Sequence, residues 1–136
     1  MQSNKSTPPD RFQASLVPVL QKTRTVYIFW YSIFHIVPKP HRYTLAPKID
    51  TLFIELIEMI ASASFMKKQD KIIYLRTAIR KLDTLKILLH ILWDTRSLDT
   101  KKYELLSVPL DEIGKMLGGW LGQVEKQNSP ERVGEK

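Results

Sequence analysis

The sequence predicts an all-α protein, an antiparallel up-down four-helix bundle. Three observations carry this. Apolar residues recur at spacings of three and four along four successive segments, the period of a helix that buries one face. No segment makes a convincing strand with a partner elsewhere in the chain. The connections between segments are short, so consecutive helices turn back on one another and share a core.

The folded domain is expected over residues 11–126, between the polar, proline-bearing tails "MQSNKSTPPD" (1–10) and "QNSPERVGEK" (127–136). Tails of that composition are expected to be disordered. The first helix is expected over residues 11–37, with Pro18 as a kink or a late start. Its second half, "VYIFWYSIFHIV", is rich in aromatic and β-branched residues, as strands are. Its length and the absence of any strand partner favour a helix. Tyr27, Phe29, Trp30, Tyr31 and Phe34 cover more of its circumference than one core-facing stripe requires.

"PKPHRYTLAP" then breaks the pattern with Pro38, Pro40 and Pro47, and sets Lys39, His41 and Arg42 among them. No acidic residue follows until Asp50. This is a stiff, basic elbow. The second helix should begin near Pro47, a residue suited to a first helical turn. Ile49, Leu52, Phe53, Leu56, Ile57, Ile60 and Ala63 make its stripe. The third helix is expected over residues 68–95, with Ile72, Leu75, Ile79, Leu82, Leu85, Leu89 and Leu92 inward and Arg76, Arg80 and Lys81 off the stripe. The fourth follows "RSLD", where Ser97 or Asp99 can cap it. Leu106, Leu110, Ile113, Leu117, Trp120 or Leu121, and Val124 recur along it, and Pro109 should bend it or delay its regular part. "GKMLGGWLG" places Gly114, Gly118 and Gly122 four apart on one face. Each costs about 0.8–1 kcal/mol relative to alanine in a helix interior, so a close approach is the expected return. Helix termination at Gly118–Gly119 is the alternative, and the apolar pattern beyond it argues for continuation. With Trp30 and Trp120, Gly114, Gly118 and Gly119 are the residues expected at contacts between subunits.

The chain has 136 residues, a formal charge of +7 and no cysteine. One domain can bury a real core at this length. Disulfides and thiolate metal sites are excluded, and a cytoplasmic setting fits. The longest apolar run is shorter than the roughly 20 residues that cross a bilayer, so no membrane partner is expected. Residues 67–86 carry seven basic and two acidic side chains, and residues 38–48 carry three basic and none acidic. Residues 50–66 hold three acidic side chains and no base. A positive balance of this kind suits a polyanionic partner. Arg76 and Arg80 lie one turn apart with Lys71, Lys81 and Lys86 nearby, a row that can track phosphates. A solvated helix face is the plain alternative.

Catalytic constellations are missing. His35, His41 and His90 lack paired spacing, Glu55 and Glu58 lack a Glu-x-x-His companion, and no phosphate loop or nucleophile elbow occurs. No enzyme activity, metal or cofactor is expected.

The elbow and the glycine–tryptophan segment together resemble the accessory variability determinant (Avd) family of diversity-generating retroelements. The resemblance spans roughly residues 26–122. It rests on Pro38, Lys39, Arg42, Tyr43 and Leu45, and on Gly114, Lys115, Met116, Leu117, Gly118, Gly119 and Trp120. Ala46–Pro47 departs from it, since a glycine is commoner there in the family. The resemblance implies a four-helix bundle assembled as a barrel-like homopentamer. It also implies association with the retroelement's reverse transcriptase and with nucleic acid, RNA or DNA, in error-prone cDNA synthesis and mutagenic retrohoming, without catalysis by the accessory protein. Lys39, Arg42, Lys71, Arg76, Arg80, Lys81 and Lys86 are the expected contacts to nucleic acid or the polymerase. Two alternatives are a bundle of the kind encoded in ribosomal-RNA intervening sequences, and a structural scaffold without a polymerase partner.

Overall fold

A computed structural model describes residues 17–128. Four long helices follow one another: α1 (Pro18–Ile33), α2 (Leu45–Phe65), α3 (Lys68–Asp94) and α4 (Thr100–Gln127). No strand occurs among the described residues. The segment 11–16 expected in the first helix, and the tails at 1–10 and 129–136, lie outside the described residues.

Pro18 proves to be a start and not a kink. It occupies the first turn of α1 behind an extended Val17, where its missing N–H would have no partner in any case. The other end of α1 also falls short of the expected Val37. The helix tightens into a 3-10 turn over Phe34–Ile36, and Val37 is extended at φ −62°, ψ 130°. Pro38 explains this, because a residue before proline is pushed out of the helical region. Lys39–Arg42 then forms a single helical turn that Pro38 caps. Helix α2 begins at Leu45, two residues before Pro47, which therefore sits in the first turn.

Cross-helix contacts fix the antiparallel order. Glu55 and Ala63 of α2 meet Lys81 and Lys71 of α3, and Glu125 and Asp111 of α4 meet Arg76 and Lys86. Lys22 of α1 pairs with Glu112 of α4. Thus α1 packs on α2 and α4, and α3 packs on the same two from the other side. Trp30, Phe53, Leu56, Ile60, Leu75, Leu85, Leu92, Leu106 and Leu110 are among the fully buried residues between them. Each such side chain contributes about 1.5–3 kcal/mol by leaving water. The ion pairs between helices are half-exposed and add little by comparison.

The helix ends are specified locally. Of the two candidate caps, Asp99 caps α4: its carboxylate accepts from the backbone N–H of Lys102 at 2.8 Å. That bond, with the Lys102 side chain beside it, lowers the Asp99 pKa. At the end of α3, Arg96 adopts φ 65°, and Ser97 N–H reaches back to Leu92 O at 2.8 Å. This is a Schellman turn with arginine in the left-handed position that glycine usually fills. Helix α4 runs through both Pro109 and Gly118–Gly119 to Gln127 without interruption. The expected continuation past the glycines is what occurs, the alternative stop there does not, and Pro109 does not delay the helix, which is regular from Thr100.

Candidate nucleic-acid interface

The basic residues expected to form one row are distributed over several tasks. Arg76 pairs with Glu125 at 2.7 Å, Lys81 with Glu55 at 3.0 Å and Lys86 with Asp111 at 2.9 Å. Lys71 turns its ammonium away from the row, donating to Ala63 O at 2.6 Å near the end of α2 and lying 5.7 Å from the centre of the Trp120 ring. Cations placed there satisfy orphan helix carbonyls and suit the negative end of the dipole. Like Lys71, Arg80 pairs with no carboxylate among the described residues, and its hydrogen-bond partner is Thr77 Oγ1 at 3.3 Å.

The structure assembles a different set around Arg80. A groove of about 480 Å³ runs between α2 and α3, lined by Lys48, Arg80 and Lys81 with Thr51, Thr77 and Thr84, and by one carboxylate, Glu55. Three cations and three hydroxyls against one acid make a surface for an extended anion. Lysine, arginine and threonine are the side chains that commonly contact phosphate. Lys48 was missed as a site residue. Its signal was present in the acid-free stretch before Asp50, but the one-turn spacing that singled out Arg76 and Arg80 operates only within one helix. By contrast, the hollow at the α3–α4 turn presents Asp94 and Asp99 with Arg96, so it has no anion-binding balance.

The elbow is pinned on both sides. His41 Nδ1 lies 2.8 Å from Ser97 Oγ, joining it to the α3–α4 turn. Arg42 Nε donates to Val37 O at 3.0 Å, closing the end of the 3-10 turn. Lys39 is exposed and forms no ion pair among the described residues.

The expected subunit-contact residues divide similarly. Trp30 is wholly inside the chain's own core, with Phe53 stacked 6.2 Å away and Phe34 at 6.3 Å. It has no surface to offer a second subunit, because α1 and α2 close over the ring. A methyl group at Gly114 would meet Leu82 of α3 at 3.4 Å, so this position faces the chain's own α3. Positions 118, 119 and 122 open onto unoccupied space, and Trp120 is half-buried against the core.

Among the described residues no group of three or more histidine, aspartate or glutamate side chains is placed to hold a metal ion. No described helix is long and apolar enough to cross a membrane. A family model described as bAvd-like matches residues 17–124, nearly all of the described bundle. Comparisons with curated proteins and with solved structures return no match.

Proposed function

The chain belongs to the bAvd-like family, and from that premise we propose that it is the accessory subunit of a diversity-generating retroelement's reverse transcriptase, acting in the cytoplasm. In this reading it binds the template RNA, or the cDNA copied from it, and supports error-prone synthesis and retrohoming without performing chemistry itself. The observation that carries the binding role is the α2–α3 groove, where Lys48, Arg80 and Lys81 converge from two helices among three threonines. Contacts of this kind hold a phosphate backbone in register and read little sequence, as an accessory to a template-copying enzyme requires.

Self-association, as a homopentamer, is part of the same proposal. The outward side of α3 exposes Ile73 (68%) and Ile87 (60%), and α4 exposes Leu105 and Val108. Apolar residues repeated along the outside of a bundle suit burial against a further helix. The open positions at Gly118, Gly119 and Gly122 would let that helix come close.

Co-expression with the reverse transcriptase of the proposed retroelement tests the function. A complex of fixed stoichiometry that carries RNA through purification is expected. Separate elution of the two folded proteins, with or without RNA, would overturn the accessory role.

A further inference from the structure

A second recess lies on the other side of α2. Tyr27, Tyr31 and Phe34 form one wall of a cleft of about 280 Å³, Arg42 and Pro47 face them, and Asp50 belongs to its lining. The rings follow one another along the wall, each tilted to the next: Tyr31 lies 6.5 Å from Tyr27 at 37° and 6.0 Å from Phe34 at 49°, centre to centre. It is braced from behind, Tyr27 by Phe53 at 5.6 Å and Phe34 by Trp30 at 6.3 Å. Tyr31 nevertheless remains 63% exposed and Phe34 37%. Tyr27 packs on the core, and Tyr31, held between Tyr27 and Phe34, leaves most of its ring to solvent.

The polar groups of the cleft are also partly uncommitted. Arg42 uses Nε for Val37 O, and its terminal nitrogens form no other bond among the described residues. Asp50 accepts the Tyr27 hydroxyl at 2.9 Å and forms no ion pair among the described residues. Burial, then that bond and the Asp50 charge, push the Tyr27 phenol up to about 12, so it stays a neutral donor. Lys39 and Lys48, both exposed, border the cleft residues in sequence.

We propose that this cleft receives an unpaired nucleobase of a single-stranded nucleic acid, stacked on Tyr31 with Phe34 beside it, and with Arg42 at the adjoining phosphate. An exposed, rigid aromatic face beside a cation is the recurring platform for single strands, tolerant of sequence because every base has a π-face. A duplex cannot use it, since its base faces are already stacked. Asp50 only accepts, so it favours a base edge that donates. Guanine offers two adjacent donors there. Pro47 lines this cleft and Lys48 lines the α2–α3 groove, so a strand crossing the start of α2 engages both. The inference rests on the nucleic-acid reading above but concerns separate residues.

Fluorescence anisotropy with the full chain tests it, using a labelled oligouridine of about 12 nucleotides, the same strand with one central guanosine, a blunt-ended RNA duplex, and free GMP as competitor. Tyr31→Ala should weaken both single strands about five-fold or more, because stacking on one side chain is worth at least that. Tyr31→Phe should restore affinity, and duplex binding should not change. The strand with guanosine should bind tighter than oligouridine, and Asp50→Asn should remove the difference. Unchanged single-strand binding by folded Tyr31→Ala, while Lys48→Ala/Arg80→Ala still weakens it, overturns the cleft and leaves the groove standing. Loss of neither overturns both. GMP binding as tightly as the strand overturns the assignment to a strand.

Discussion

Removing Lys48 and Arg80 together should convert the groove from an anion-binding to a neutral surface. Both side chains are exposed and neither forms an ion pair among the described residues. Alanine is the best helix former. Lys48→Ala/Arg80→Ala should therefore keep its fold, with stability changed by about 0.5 kcal/mol or less. On a single strand each phosphate contact adds about 0.7 to the slope of log K against log salt, so two lost contacts flatten it by about 1.4. At about 0.1 M salt the same two contacts correspond to about 25-fold in affinity. The assay is anisotropy of a labelled RNA over a salt series. Arg76→Ala is the internal control: Glu125 already holds that guanidinium at 2.7 Å, so the slope should scarcely move. A double variant with native helicity and an unchanged slope would refute the groove as the binding surface. A larger effect from Arg76→Ala than from the double variant would return the site to the α3 row.

Three further outcomes follow from the fold. Trp30→Ala should destabilise by about 3–5 kcal/mol in denaturant titrations, whereas Trp30→Phe should cost less than half of that, because the buried indole N–H has no partner among the described residues and its removal relieves a desolvation cost of about 1–3 kcal/mol; equal losses would contradict the core placement. Pro109→Ala should raise stability by about 1–3 kcal/mol, since it restores an N–H opposite the Leu105 carbonyl within a continuous helix; a thermal midpoint below that of the parent would show that Pro109 contributes something the helix ladder does not. Tyr27 is neutral when folded and its pKa is raised from 10.0 to about 12, so its contribution is complete below pH 10 and is lost as pH rises through 12; a phenolate absorbance titration should show one tyrosine ionising late in the native protein, and Asp50→Asn should bring that titration down.

The core and the helices were legible in the sequence because both follow from period and from proline chemistry. Of the α3 stripe, Leu75, Leu82, Leu85, Leu89 and Leu92 are buried, and Ile72 and Ile79 are half-buried against the same core. Boundaries were legible where a single residue decides them, as Pro18 and Asp99 do. The end of α1 was not, because the apolar pattern continues through Val37 while Pro38 imposes an extended residue there. The candidate site was half legible. Spacing within one helix finds cations that share a face, but it does not show what the neighbouring helices bring. Glu125, Glu55 and Asp111 take up Arg76, Lys81 and Lys86, and Lys48 enters from α2. Trp30 illustrates the same blindness: richness in aromatics announces packing without saying whether the partner is the chain itself or a second copy.

The elbow shows why structural and binding roles need not exclude one another. Its prolines remove the conformational freedom that a glycine connector would leave, and His41 ties it to Ser97 across the end of the bundle. With the joint fixed, the start of α2 is held against the end of α1, and that is what opens a cleft between Tyr31 and Pro47. Arg42 spends one nitrogen on Val37 O, which orients the guanidinium and leaves its fork uncommitted. A flexible arginine would lose more side-chain entropy on meeting a phosphate than one already held at Nε. The prolines thus set where the basic charge of the elbow stands, beside the aromatic wall, and that placement is what the proposed strand contact uses.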